Sequence, residues 1–200
     1  MHNFYSWFSL GVSHILNWEA YDHVLFLFAL CSIYTFRQWK KTFMLITAFT
    51  IGHSLTLALS MWHVFSMNTR WVEFLIALTI VLTCLYNIKI RNKAEVSDET
   101  GMMRSGTYLM ACFFGLIHGL GFASILKDML LDSTWFPLFS FNIGIEFGQL
   151  IVLTILLVIA YFVRTVYKFN QATLNVYVSS IIGVFALIIA LSRLTDIFCH

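Results

Sequence analysis

Six ionisable residues lie inside or beside apolar stretches of the chain, and their side chains are of types that bind metal ions. They are His14, Asp22, His23, His53, His118 and Glu146. An ionisable side chain at the centre of a bilayer costs about 2.5–3.5 kcal/mol, so such residues usually face a bundle interior or an aqueous path. Neutral imidazole and carboxylate together suit divalent ions such as Ni, Co, Zn, Fe or Mn. We therefore predict that these residues line one connected metal site or path.

A polar face runs along one of the apolar stretches that carry these residues. Asn142, Glu146 and Gln149 are separated by four and three residues, so a helix places them on the same side. Asn142 and Gln149 are accordingly predicted as supporting polar residues beside Glu146. For any single histidine, a hydrogen bond to a neighbouring helix is the competing structural interpretation.

Small residues predict where helices approach closely in a membrane. One stripe consists of Gly144 and Gly148, and a second consists of Ala111, Gly115, Gly119 and Ala123. We expect these stripes to bring His118 and Glu146 within reach of a shared site.

The composition indicates which solvent surrounds these residues. The chain has 200 residues, of which 60% are hydrophobic and 11% charged, and its mean hydropathy is +0.82. A soluble domain averages about 25% charged residues. Lipid is therefore the expected surroundings, and the single Pro and ten Gly leave little material for linkers. We predict one transmembrane domain, 1–200, with a metal ion and the bilayer as partners, no nucleic acid, and homo-oligomerisation left open.

Six stretches approach the roughly 20 apolar residues that a spanning helix needs. They are 20–36, 42–62, 70–89, 107–127, 136–162 and 173–194. A seventh, 4–16, is too short to cross by itself and is predicted as an interfacial or re-entrant helix that breaks near Asn17. The expected fold is all-α: a polytopic bundle of six spans plus this short N-terminal helix.

Basic residues, which mark cytoplasmic loops, occur in alternate connections of the predicted bundle. They are Arg37, Lys40, Lys41, Lys89, Arg91, Lys93, Arg104, Arg164 and Lys168. Both termini are then expected on the non-cytoplasmic side, with the protein in a bacterial inner membrane. The opposite side carries most of the acids, Glu19, Asp22, Glu73, Asp128, Asp132 and Asp196. Acidic mouths concentrate cations, although charge asymmetry from membrane insertion explains the same pattern.

Four ordered segments resemble the HupE/UreJ family, in particular its second branch of small integral membrane proteins. They are HILNWEAYDHVLFLFAL (14–30), TAFTIGHSLTLALS (47–60), FGLIHGLGFASIL (114–126) and FNIGIEFGQL (141–150). The resemblance implies a nickel or cobalt permease or accessory protein. It also implies that His14, Asp22 and His23 match the family's N-terminal motif, and that His53, His118 and Glu146 match later motif positions.

The sequence departs from the better-known branch, in which five residues separate the first His from the Asp-His pair and a later motif carries two His. Here seven residues separate them, and His118 stands alone.

Three functions remain open at this stage. The leading one is a permease for a divalent transition metal, with Ni or Co favoured and Zn, Fe or Mn as alternatives. The second is a membrane-embedded metalloenzyme that uses the same ligands, and the third is a haem protein with His53 and His118 as axial ligands. We expect a transporter rather than an enzyme.

Overall fold

The computed structural model describes residues 4–17, 20–61, 68–90, 105–129 and 135–199, with the backbone alone at 61, 105 and 124–129. Within these ranges the chain is all-helical, and no strand occurs. The helices are α1 (Phe4–Leu16), α2 (Tyr21–Cys31), α3 (Trp39–Met61), α4 (Thr69–Lys89), α5 (Ser105–Met129), α6 (Trp135–Tyr167) and α7 (Gln171–Phe198). A 3-10 turn, Phe36–Gln38, precedes α3.

Five helices, α3 to α7, are long and apolar enough to cross a membrane. They correspond to the predicted spans 42–62, 70–89, 107–127, 136–162 and 173–194. With this composition and these helices the chain is an integral membrane protein. The longest helix, α6, has 33 residues, and its ends, the Trp135 end and the Tyr167 end, define the two ends of the bundle below.

The predicted span 20–36 differs from the structure. Its helix, α2, has 11 residues, which corresponds to about 16 Å and is too short to cross the hydrocarbon core of about 30 Å. Amide side chains from other helices take carbonyl groups at and just beyond the end of this helix. Asn87 of α4 donates to the Ala29 carbonyl, and Gln171 of α7 donates to the carbonyls of Ser32 and Tyr34.

The N-terminal helix α1 packs along α6. A Cβ atom at Gly11 would collide with the Phe141 carbonyl, and one at Gly144 with the Phe8 carbonyl, so the two backbones are in direct contact. Gly148 lies against Val12 and Ile15 one turn further on. The two helices therefore run in the same direction, starting from the Trp135 end of the bundle.

This contact corrects the expectation drawn from the small-residue stripes. Gly144 and Gly148 of α6 face α1, whereas Gly115 and Gly119 of α5 face α3. The stripes were identified correctly as close-approach surfaces, but a stripe of small residues does not specify which helix it meets. The stripes therefore do not bring His118 and Glu146 together.

Helices α3 and α5 form another close pair. A Cβ at Gly52 would collide with the Cys112 carbonyl, and one at Gly115 would collide with the Phe49 carbonyl. His53 and His118 lie directly beside these contacts and are both completely buried. The close backbone approach therefore turns two histidines from different helices toward the same interior.

Helix α2 continues along α6 where α1 leaves it. Phe28 and Cys31 border the same small cavity as Leu156 and Val163, which lie toward the Tyr167 end. Since α1 packs beside 141–148 of α6, the two short helices follow one another along α6 in the same direction. Helix α1 ends at Leu16 and α2 begins at Tyr21, so the helix breaks near Asn17, as predicted.

Candidate metal centre

Four histidines and one aspartate meet at the interruption between α1 and α2. We call them the ligand cluster: His14 from α1, Asp22 and His23 from α2, His53 from α3, and His118 from α5. The centroid of the His23 ring lies 5.0 Å from that of His14, 5.8 Å from that of His53 and 5.2 Å from that of His118. His23 is therefore the centre of the cluster.

Asp22 orients the His23 ring. Its Oδ1 accepts the His23 backbone N–H at 2.8 Å and lies 3.0 Å from His23 Nδ1. A carboxylate beside one imidazole nitrogen fixes the proton there and leaves the other nitrogen free as a ligand. Asp22 also stands in the first turn of α2, where a negative charge is stabilised by the helix dipole.

Aromatic side chains form the wall of the ligand cluster. The Phe122 ring centroid lies 4.1 Å from that of His14, and the Phe49 ring centroid lies 5.1 Å from that of His118. Phe26 packs on both Phe49 and His118. The histidines are thus held in an apolar pocket that offers them few hydrogen-bond partners.

Five buried imidazole nitrogens in the cluster have no hydrogen-bond partner among the described residues. They are His14 Nε2, His23 Nε2, His53 Nδ1, His53 Nε2 and His118 Nδ1. More than about 90% of buried polar groups in proteins are hydrogen-bonded, so exceptions call for an explanation such as a bound ion or water. A metal ion accepts lone pairs from such nitrogens, and the cluster has the donor set for one.

The distances fit this interpretation. Asp22, His23 and His118 each offer one ligand atom, and these three atoms lie within 4.8 Å of one another. Two opposed nitrogen ligands on one divalent ion are separated by about 4.2 Å. These three atoms are therefore close enough that small side-chain rotations could bring them onto one ion, and the rings of His14 and His53 lie beside His23.

A cavity of about 460 Å³ adjoins the ligand cluster. Its lining combines cluster residues with further polar residues, among them Ser13, Asn17 and Glu73. A smaller cavity of about 120 Å³ lies beside it and is lined by Asp22, Glu73 and Arg193. Glu73 and Arg193 form an ion pair at 3.0 Å.

Two of the three polar residues predicted on α6 accept hydrogen bonds from threonines of α3. Glu146 accepts a hydrogen bond of 2.8 Å from Thr47 of α3, and Gln149 accepts one of 2.7 Å from Thr50. Gln149 Nε2 and Asn142 Oδ1 are buried without a partner among the described residues. The described ligand atoms that lie within 4.8 Å of one another do not include those of Glu146, so its part in metal binding stays a prediction.

The acidic mouth is described in part. Glu19, Asp132 and the side chain of Asp128 lie outside the described residues, as do the basic residues Arg91, Lys93 and Arg104. Asp22 and Glu73 border the cavities beside the ligand cluster.

Sequence reasoning missed a second group of polar residues, at the Cys31 end of α2. We call it the amide cluster: Ser32, Asn87, Gln171, Asn175 and Ser179. Thr79 of α4, which touches His118, was also missed. A signal for both was available, because Thr79, Thr83 and Asn87 recur every four residues along an apolar span, and Asn175 and Ser179 do the same in α7.

A buried cluster of imidazole and carboxylate groups inside an apolar helix bundle is the kind of site that metal-handling integral membrane proteins use. Comparison with protein families agrees with that class. The chain matches the family described as HupE / UreJ protein over residues 1–193, and it belongs to that family. The family is related to nickel and cobalt. Neither a curated protein nor a solved structure matches the chain.

Proposed function

We propose that the protein is a permease that carries a divalent transition metal ion through the ligand cluster, with nickel or cobalt as the favoured metal. The observation that carries this proposal is the convergence of five unpartnered imidazole nitrogens beside Asp22. Borderline divalent ions prefer such a nitrogen-rich set with one carboxylate. Membership of a nickel- and cobalt-related family supports the same choice of metal.

The interrupted helix supports transport over static binding. Discontinuous membrane helices commonly form the substrate sites of transporters, because their free ends offer backbone groups to an ion within the membrane. We propose that α1 and α2 together cross the membrane once as a broken helix, so that the chain has six crossings. The ligand cluster then lies at the break.

The charge distribution supports an orientation for this path. Arg37, Lys40, Lys41, Lys89, Arg164 and Lys168 all lie at or near the Tyr167 end of the bundle. Basic residues favour the cytoplasmic side, so we propose that both termini and the large cavity face the other side. The metal would be captured at Asp22 and His23 and passed inward, with Glu146 a candidate for a later position on the path.

Transport is tested by measuring metal accumulation in cells that express the chain. His118→Ala should abolish accumulation at unchanged protein abundance, because the change deletes a ligand while relieving the cost of a buried polar group. Glu146→Ala should do the same if Glu146 lies on the path. Asp22→Asn should reduce uptake mainly at low metal concentration, because a capture residue governs binding more than passage.

Ser179→Ala is the matched control. Ser179 is as completely buried as His118 and belongs to the amide cluster, so its loss tests the general effect of removing an intramembrane polar group. Accumulation should stay near that of the wild type. If His118→Ala cells accumulated as much metal as wild-type cells, transport through the ligand cluster would be rejected.

The large cavity keeps one alternative in consideration. Its volume of about 460 Å³ falls in the range of small-molecule sites, about 300–1,000 Å³. A membrane-embedded metalloenzyme could hold its metal in the ligand cluster and its substrate in that cavity. In that case purified protein would retain one metal ion per chain, and none of the three substitutions would change accumulation.

A further inference from the structure

Thr79 is a buried hydroxyl residue on α4 that contacts His118 of the ligand cluster. Its Oγ1 lies 3.0 Å from His118 Nε2 and 2.7 Å from the carbonyl oxygen of Ile76. Both side chains are shielded from solvent, Thr79 at 3% exposure and His118 at 0%.

A threonine hydroxyl has one proton to donate and two lone pairs to accept with. The Ile76 carbonyl is an acceptor only, so the short contact to it requires the hydroxyl proton. The Thr79 oxygen then accepts from His118, and Nε2 of His118 must carry the imidazole proton. In a neutral imidazole this leaves His118 Nδ1 with a lone pair and no proton.

The opposite arrangement is less favourable. If Thr79 donated to Nε2, His118 would carry its proton on Nδ1, which has no partner among the described residues. A buried N–H without an acceptor loses its hydration without compensation. A bare lone pair on the same atom is instead what a metal ion would fill.

We propose that Thr79 is a positioning residue that fixes the His118 imidazole with its proton on Nε2, so that Nδ1 is the atom presented to the metal. The proposal rests on the proposed metal function of the cluster and names a residue outside the ligand set. Histidine ligands in metal sites usually donate their second ring N–H to a fixed acceptor, which sets ring orientation and raises ligand basicity. Here a hydroxyl serves as that acceptor.

The test measures Co(II) binding to the purified full chain, followed by the visible absorption of the bound ion. Thr79→Val removes the acceptor at nearly constant shape and should weaken affinity about 10- to 100-fold. Thr79→Ser retains the hydroxyl and should bind within about threefold of the wild type.

Thr83→Val is the matched control. Thr83 lies one turn further along α4, is 1% exposed, and donates to the Thr79 backbone carbonyl. Its loss should change affinity less than about twofold, since outer partners alone carry the larger effect. Wild-type affinity in Thr79→Val, equal weakening in Thr79→Ser, or equal weakening in Thr83→Val would each overturn the proposal.

A second measurement remains decisive if Thr79→Val does not fold. Nitrogen NMR of metal-free wild-type protein, with the His118→Ala spectrum subtracted, reports which His118 nitrogen carries the proton. Protonated Nε2 and bare Nδ1 are expected, and the reverse would overturn the proposal. Because this spectrum needs no metal, it tests the tautomer that Thr79 is proposed to impose even if the wild-type protein neither binds nor transports a metal ion.

Discussion

Two buried polar clusters lie at opposite ends of α2, and they differ in how far the chain satisfies them. In the amide cluster, Asn87 Nδ2 donates to the Ala29 carbonyl at 2.6 Å, and Asn175 Nδ2 donates to the Asn87 carbonyl at 3.0 Å. Ser32 donates to Asn175 at 2.8 Å. Gln171 Oε1 is the exception, since it has no partner among the described residues. In the ligand cluster, by contrast, five nitrogens have none.

The difference separates a structural joint from a binding site. Leaving a buried polar group unpaired costs about 1–3 kcal/mol, so selection for stability alone would not assemble four histidines in an aromatic pocket. The amide cluster shows that this chain can pair its buried polar groups when they serve packing. We infer that its amides connect α2 to α4 and α7, whereas the unpaired imidazole nitrogens of the ligand cluster serve to bind a ligand.

The largest effect should come from His53→Ala. Both ring nitrogens of His53 are buried and unpartnered, so the change removes a metal ligand and no hydrogen bond of the free protein. Metal affinity should fall more than about 100-fold, exceeding the 10- to 100-fold effect of outer partners. Thermal stability without metal should stay the same or rise. Calorimetric titration and thermal unfolding in detergent measure the two quantities.

A loss of metal affinity together with unchanged or higher thermal stability would identify His53 as part of a ligand site. If metal-free His53→Ala protein unfolded at a clearly lower temperature than the wild type, His53 would have a structural partner, and the contrast between the two clusters would fail. Retained metal affinity would remove His53 from the ligand set while leaving His23 and His118 untested.

Asn87→Ala should show the reverse pattern. Asn87 Nδ2 donates to the Ala29 carbonyl and to the hydroxyls of Ser32 and Ser179, whereas the backbone carbonyl of Asn87, which the substitution keeps, accepts from Asn175. Side-chain hydrogen bonds between membrane helices average about 0.6 kcal/mol, so losing three should cost on the order of 2 kcal/mol of unfolding free energy. Metal affinity should change less than about threefold.

Leu82→Ala, at an exposed position of the same helix, provides the control for a change that breaks no hydrogen bond. A large loss of metal affinity in Asn87→Ala with unchanged stability would contradict the assignment of the amide cluster as a joint. It would instead connect the amide cluster to the metal path.

How much of this could be predicted from the sequence depends on the kind of signal. His53 and His118 were found because an ionisable residue is conspicuous in an apolar helix, and the five long helices were found by length and hydropathy. The break between α1 and α2 was placed correctly near Asn17. The partner of α1 could not be predicted, since Gly144 and Gly148 indicate close approach without naming the helix that approaches.

The end of α2 was hidden for a related reason. Residues 32–36 carry no charge, so nothing local marks the end of the helix. The carbonyl groups of Ala29 and Ser32 accept hydrogen bonds from Asn87 and Gln171, which lie far away in sequence. Likewise, the hydrogen bond between Thr47 and Glu146 depends on helix rotation and pairing, which hydropathy does not encode. Long-range packing thus decided what local patterns left open.

The smallest effect should come from Glu73→Gln at the mouth of the large cavity, because this side chain, unlike the histidines of the ligand cluster, has a partner. Glu73 borders both cavities near Asp22, but its carboxylate is paired with Arg193 at 3.0 Å. Both side chains are more than one third exposed, and such pairs contribute about 0–1 kcal/mol. Stability should therefore hardly change, whereas the loss of a negative charge should lower capture of a cation about two- to threefold at low ionic strength.

That reduction should disappear at high salt, because screening shortens the range of the field to about 3 Å at 1 M. Asp196→Asn is the matched control, since Asp196 is another acid at the Trp135 end but lies outside the lining of both cavities. Uptake measured against salt concentration separates the two variants. A tenfold loss in Glu73→Gln that persists at high salt would mean that Glu73 binds the metal directly, and then a partnered residue would belong to the ligand set after all.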